Sequence, residues 1–300
     1  MSKNLTIGNP ERKPVFKGKK ILPYLLVSPY LIYVAVFVLF PVVFCFFLTF
    51  HKWNIIAPMH FIGMDNYTRL FHDRLFRVAI VNTLKFLLVH IPLQLSVSLF
   101  LAQLLNQKIR AISFFRASFF LPVIVSGVVI TIVWQQLLGY DSGLINRFLA
   151  LFGSKKVGWL VNPEIAIYSI AVMATWKNVG LYVILFLVGL QTVPVQYYEA
   201  AKLEGANAWQ RFWHITLPMI NPTIFMVVIL STIGGFSLFI EPYIMTGGGP
   251  LNQTLSAVLY IYKQAFQYYN MGYSATLGFF YAMIIMTVVV LQKKLIEKEE

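Results

Sequence analysis

Charge is scarce in this sequence. Charged types make up 12% of its 300 residues, about half of the ~25% usual in a soluble domain. Cysteine is nearly absent. The single Cys45 excludes an internal disulfide and a cysteine-rich zinc site, and its place in an apolar run makes it a small apolar side chain. No Walker A pattern occurs: the one Gly-Lys pair, Gly18-Lys19, is followed by Lys20 and lacks the upstream glycine, so the chain has no recognisable ATPase of its own. A Gly-x-Ser-x-Gly elbow and a His-Glu-x-x-His helix are missing too. None of the five histidines, His51, His60, His72, His90 and His214, pairs at helical spacing with another ligand inside an apolar run, which argues against a metal site. Short-period repeats, low-complexity tracts and a soluble domain are also lacking. The expectation is a protein that is not an enzyme and holds no cofactor itself.

Apolar residues, by contrast, reach 58% and aromatics 16%, with 26 Phe, and mean hydropathy is +0.71. A soluble fold of this size would leave large apolar patches exposed, and disorder is excluded. An all-α integral membrane protein follows. A spanning helix needs about 20 mostly apolar residues, and six segments qualify: Leu22–Leu48, Ala79–Leu104, Phe114–Leu138, Ile165–Leu190, Ile220–Ile240 and Gly272–Leu291. The runs are continuous rather than alternating, which predicts helices and not a β-barrel. Pro29, Pro41, Pro92 and Pro122 lie inside them and are expected to bend them.

The net charge of +13 would suggest nucleic acid on a soluble protein. Here the basic residues flank apolar runs, so they report topology and no nucleic-acid partner is expected. Residues 1–20 carry six Lys and Arg. The following run is too long for a signal peptide and no Ala-x-Ala site follows it. With an even number of spans, both termini share a side. That side holds 14 Lys and Arg: the six of the tail and Lys108, Arg110, Arg116, Lys202, Arg211, Lys293, Lys294 and Lys298. The other holds 8: Lys52, Arg69, Arg74, Arg77, Arg147, Lys155, Lys156 and Lys263. Both termini are therefore expected in the cytoplasm, with residues 191–219 facing the cytoplasm and 241–271 facing outside. The division is a cytoplasmic tail at 1–20, a six-helix membrane domain at 21–292 and a C-terminal tail at 293–300.

The cytoplasmic loop runs Tyr198-Glu-Ala-Ala-Lys-Leu-Glu-Gly-Ala-Asn-Ala-Trp-Gln-Arg-Phe-Trp-His-Ile-Thr-Leu-Pro218. Glu199 to Leu203 are good helix formers, and Glu199 is expected in the first turn, where a carboxylate suits the helix dipole. Ala200 and Ala201 make a smooth face that another protein can approach closely. Gly205 can end the helix in a left-handed conformation. An amphipathic stretch with Trp209, Phe212, Trp213 and Ile215 follows. By composition alone this is an interfacial connector lying on the membrane.

The order of residues suggests more. Glu199-Ala200-Ala201, three residues to Gly205-Ala206, then Ile215-x-Leu217-Pro218, closely resembles the "EAA" signature of permease subunits of binding-protein-dependent ABC importers. Glu204 stands where aspartate is commoner in that family. Gly63 through Phe71, with Asn66, Tyr67 and Leu70, resembles the family's Gly-x-x-Asn-Tyr-x-x-Leu-Phe pattern. Arg116, Leu121-Pro122 and Trp134, then Gly143 and Asn146, resemble its third-span pattern, and Thr246-Gly-Gly-Gly-Pro250 its Gly-Gly-Pro turn. Together these point to the maltose/glycerol-3-phosphate-type branch, whose substrates are mostly sugars and polyols. The resemblance implies a type I importer permease fold in a bacterial or archaeal cytoplasmic membrane. It implies a coupling helix at Glu199–Ala208 docking on one of two cytoplasmic ATP-binding subunits, which hold the ATP and Mg. It further implies a second permease subunit, of a different chain by the branch, and an extracytoplasmic solute-binding protein that delivers a carbohydrate.

Intramembrane polar residues are expensive and usually line a cavity. The candidates are Lys177 and Asn178, Ser231 and Ser237, and Gln135, with Trp134, Trp176 and Tyr182 as rings for sugar stacking. The resemblance places sugar contacts around Trp176–Tyr182 and Ser231–Leu238. Each candidate has packing as its alternative role, because polar side chains also join helices and aromatics fill cores. Three readings stand for Lys177: an ion pair with an acid such as Glu241 or one on a partner subunit, contact with an anionic substrate, or loss of its proton. His90 is expected to hydrogen-bond inside the bundle. The competing function is an ion-coupled secondary transporter, which should show an inverted repeat and broken helices. The sequence displays neither.

Overall fold

A computed structural model describes residues 22–107 and 112–296. The tail at 1–20, Lys108 and Arg110 lie outside these residues. The chain divides into two compact units, Met1–Phe47 and Leu48–Glu300.

In the first unit, α1 (Leu22–Val34) continues through a wide turn at Ala35–Leu39 into α2 (Phe40–Leu48). Pro41 has no N–H to return to the preceding turn. The Phe40 amide donates to the Ala35 carbonyl, five residues back, and the helix absorbs the proline as one widened turn. Tyr24, Phe37 and Phe40 are exposed along it, as expected of a surface made for lipid rather than water.

The second unit begins with a short antiparallel pair, β1 (His51–Lys52) and β2 (His60–Phe61), with His51 opposite Phe61. Then come α3 (Asp65–His72), α4 (Arg74–Leu105), α5 (Ile112–Ile124), α6 (Gly127–Leu137), α7 (Leu144–Leu151) and α8 (Ala166–Thr192). A hairpin of α9 (Val195–Leu203) and α10 (Ala208–Arg211) follows, continued by a wide turn at Phe212–Thr216 and α11 (Leu217–Met219). The chain ends with α12 (Asn221–Phe236), α13 (Ile240–Met245), α14 (Ala257–Tyr262), a wide turn at Lys263–Gln267 and α15 (Met271–Ile296).

Five helical stretches are long and apolar enough to cross a membrane: Tyr24–Leu48, Arg74–Leu105, Ala166–Thr192, Asn221–Met245 and Met271–Leu295. The count reaches six when α5 and α6 are taken as one span. The segment expected at Phe114–Leu138 bends near Pro122 as expected, and sharply: α5 and α6 meet at 106°. Pro122 removes a backbone donor near the end of α5, Ser126 is extended at ψ 125°, and Gly127 starts a new helix. Hydropathy counts apolar residues but carries no direction. It also misses caps: α4 starts at Arg74 rather than Ala79, because Asp73 Oδ1 accepts the Phe76 amide at 3.0 Å.

Helix α8 is the centre of the second unit, packed on α4, α5 and α12. At its crossing with α5, a Cβ on Gly180 would lie 2.2 Å from the Phe119 carbonyl oxygen. The neighbour is backbone and cannot step aside, so only glycine allows this approach. Two buried clusters result. One, around Phe86, Ile170, Phe236, Leu259 and Leu277, lies toward the end bearing the loops 49–73, 138–165 and 246–270. The other, around Ala102, Phe186, Leu190, Ile220 and Val227, lies toward the end bearing the hairpin.

Candidate functional site

The hairpin is held by bonds within its own short stretch of chain. Helix α9 begins after Pro194, so Glu199 sits in its second turn and not the first as expected. Proline suits a helix start, and the Val195–Tyr198 stretch supplies the first turn instead. The Ala206 amide donates to the Ala201 carbonyl at 2.8 Å and the Gly205 amide to the Lys202 carbonyl at 3.1 Å. Gly205 stands at φ +82°. This is the paired 6→1 and 5→2 closure of a glycine-ended helix. A Cβ at Gly205 would meet nothing within 4 Å, so the requirement is conformational and not steric. Asn207 and Gln210 then form a reciprocal capping box at the start of α10, and the Arg211 guanidinium donates to the Ala206 carbonyl at 2.6 Å. The side chains of Glu199, Ala200, Glu204 and Pro218 are exposed, and Ala201, Ala206 and Leu217 are half-buried. Leu203 is 90% exposed. Trp209, Phe212 and Trp213 cluster ring against ring. The widened turn before Pro218, where the Leu217 amide reaches the Phe212 carbonyl, repeats the solution found at Pro41.

The second arrangement lies where the two cores meet. A cavity of about 240 Å³ opens between α4, α8, α12 and the break at Ser237–Phe239. Lys177, Asn178 and Tyr182 of α8 line it together with His90, Ser237 and Glu241. Lys177 Nζ donates to Glu241 Oε1, so the structure pairs the two charges across 64 residues of sequence. The side chains are 15% and 8% exposed. His90 Nδ1 lies 2.8 Å from Thr175 Oγ1, a bond within the bundle.

The remaining candidates fall elsewhere. Gln135 Nε2 donates to the carbonyls of Ile244 and Met245 at 3.0 and 3.3 Å and so ties α6 to α13. Trp134 and Trp176 pack on each other at 5.4 Å, and Trp176 faces a separate apolar groove with Leu93, Phe119 and Pro122. Ser231 is fully buried one turn before Gly235 on α12. Gln94 was not foreseen. It is fully buried, and neither carboxamide atom has a hydrogen-bond partner among the described residues. Its signal is the polar row His90, Gln94, Ser98 at four-residue spacing, hidden inside a strongly apolar run. Among the described residues no three His, Cys, Asp or Glu side chains come together to hold a metal.

At the loop-bearing end, asparagines act as staples. Asn66 Nδ2 donates to the Thr49 and His51 carbonyls, and Asn82 Nδ2 to those of Asn252 and Leu255. Asn146 donates to Tyr140 and Val157 carbonyls while its Oδ1 accepts from the Val157 amide and Trp159 Nε1. Asp73 Oδ2 accepts both the Tyr260 and Tyr273 hydroxyls, at 2.7 and 2.5 Å. Burial works to raise this carboxyl, but the two hydroxyls and the Phe76 and Leu75 amides prevail and hold it below its ordinary value. Burial, reinforced by the carboxylate, pushes the Tyr260 phenol up.

A bundle of apolar helices with a charge-balanced polar cavity between spans and an exposed two-helix connector at one end has the architecture of a solute permease. The chain belongs to the family described as binding-protein-dependent transport system inner membrane component, whose model matches residues 94–298. It is 35% identical over 288 residues to the probable ABC transporter permease protein YurN of Bacillus subtilis, covering 94% of this chain and 98% of the relative. It is 33% identical over 288 residues to the arabinooligosaccharides transport system permease protein AraP of the same organism, with 94% and 91% covered. The fold matches a chain from the crystal structure of a bacterial ABC transporter involved in the import of the acidic polysaccharide alginate, with TM-score 0.78, 23% identity, and 92% and 95% of the two chains covered. The chain is thus a multi-pass permease. Broken helices, named above as the mark of an ion-coupled transporter, do occur at 125–126 and 237–239, so that criterion fails. Family membership, not helix continuity, separates the two functions.

Proposed function

We propose that this chain is a membrane-spanning subunit of an ATP-driven importer that moves a carbohydrate across the cytoplasmic membrane by alternating access. The hairpin carries the reading: a family member presents the Glu-Ala-Ala…Gly signature on an exposed helix ended by Gly205. In this reading both termini face the cytoplasm. Glu199–Ala208 dock on one of two ATP-binding subunits, whose closure around ATP and Mg pulls the hairpin and tilts the spans. A second permease subunit, of a different chain, completes the pathway, and an extracytoplasmic binding protein delivers the solute. The arabinooligosaccharide relative and the resemblance of the motifs support a carbohydrate cargo. The polar cavity beside α8 is the segment of the path this chain supplies, with Asn178, Tyr182 and Ser237 facing the solute and the Lys177–Glu241 pair in its wall.

Native co-purification tests the assembly. The expected outcome is a complex with an ATPase whose hydrolysis rises with one carbohydrate and its binding protein. A pull-down that holds no ATPase defeats the reading.

A further inference from the structure

The cavity contains one cation and one anion, and they are bonded to each other. Resting on the carbohydrate reading, we infer that the path admits uncharged glycans or polyols and rejects acidic ones, and that Glu241 is the residue that sets this choice.

Among the described residues Lys177 is the only basic one other than His90 lining the cavity, and its Nζ is held by the Glu241 carboxylate. His90 is turned to Thr175. The polar groups left to a solute are the Asn178 carboxamide, the Tyr182 hydroxyl and the Ser237 hydroxyl oxygen, whose proton goes to the Ile233 carbonyl. Asn178 and Tyr182 both donate and accept and Ser237 still accepts, which matches a ring of sugar hydroxyls. An acidic glycan would bring its carboxylate against the Glu241 carboxylate and find the one ammonium already neutralised. Like charges in a partly dehydrated site repel, and the pair's own attraction must be lost before Lys177 is free. Glu241 reaches this position because α12 stops at Phe236 and α13 restarts at Ile240. The break turns an acid of the fifth span back onto α8.

The test uses the assembled complex with its partner permease and ATPase subunits, without nucleotide or binding protein. Calorimetric titration compares arabinotriose and maltotriose with trigalacturonate. The wild type is expected to bind a neutral trisaccharide at least about tenfold more tightly than trigalacturonate. Glu241→Gln leaves Lys177 unpaired. It should gain about tenfold for trigalacturonate, and raising salt to about 0.5 M should erase that gain. If the single variant does not assemble, Lys177→Met/Glu241→Gln is the second probe. It keeps the cavity neutral and should remain selective for the neutral sugars. The inference is overturned if wild type prefers trigalacturonate, if assembled Glu241→Gln gains nothing for it, or if the double variant loses neutral selectivity. Binding of neither class, with no carbohydrate stimulating ATP hydrolysis, overturns the carbohydrate reading and this inference with it. A preference for the acid overturns only the inference.

Discussion

The two ends of the second unit are stabilised by different parts of the chain. At the loop-bearing end, side chains are the fasteners: Asn66, Asn82, Asn146 and Asp73 bond to backbone or to hydroxyls far away in sequence. At the hairpin end the bonds are local, the backbone closure at Gly205 and the Asn207–Gln210 side-chain box, and Glu199, Ala200 and Leu203 remain exposed. An end whose side chains are already bonded has little left to change with a partner's state. An end shaped by local bonds presents its remaining side chains on a fixed scaffold, which suits docking. Between them lies the ion pair, Lys177 on α8 with Glu241 just past the break between α12 and α13.

The largest effect is expected there. Lys177→Met leaves a buried carboxylate without its cation and should cost about 3–5 kcal/mol of stability. The double variant with Glu241→Gln should recover most of it. Thermal unfolding of the purified complex reads both, and a single variant as stable as wild type would show that the pair holds nothing together.

Next is the loop-bearing end. Asn146→Leu orphans two carbonyls, one amide and an indole N–H, for an expected loss of about 2–3 kcal/mol. Proteolysis should then cut within residues 138–165. If transport coupling failed while those loops stayed protected, the contrast between a structural end and a docking end would be wrong.

Gly205→Ala sharpens the contrast from the other side. Alanine meets no atom there and costs about 1 kcal/mol through the left-handed backbone alone. Stability should therefore fall by no more than that, while stimulation of ATP hydrolysis by loaded binding protein should fall severalfold as the residue relaxes out of the left-handed region and turns the hairpin. Normal stimulation by this variant would remove the docking role.

These differences explain what was legible in sequence. The hairpin was readable because its determinants are local: Gly205, Ala200–Ala201 and Leu217–Pro218 sit in one short stretch. Even so, Glu199 was misplaced by a turn, because Pro194 and not the acid sets where α9 starts. Most spans were readable because burial in lipid demands long apolar runs. Pro122 announced a bend in the third of them but not its 106°, since a hydropathy sum has no direction. In the cavity, Lys177 stood out by its cost and Glu241 was among its foreseen partners. Their juxtaposition, however, depends on the break after Phe236, and Gln94 depends on a packing register that no local pattern encodes.

The smallest effect concerns Asp73, and it probes whether the loop-bearing end relies on one charged fastener. Its carboxyl is held below its ordinary value near 3.8 by the donors around it, so the ionised form stabilises the fold. That stabilisation is complete above the ordinary value and is lost as pH falls through the lower, folded one. Asp73→Asn mimics the neutral acid. At neutral pH it should be less stable by about 1 kcal/mol, the size of a helix cap. The gap between variant and wild type should stay constant down to about pH 4 and close below it. Tyr260 and Tyr273 donate to the carboxylate, and Arg69 lies 3.8 Å over the Tyr273 ring. The Tyr260 phenol is pushed up by burial and by the carboxylate, and phenols stay protonated throughout this window, so the gap closes with Asp73. A gap that persists unchanged to pH 2 would mean that the hydroxyls hold the neutral acid as well as the anion. The fastening at this end would then be a matter of shape and not of charge.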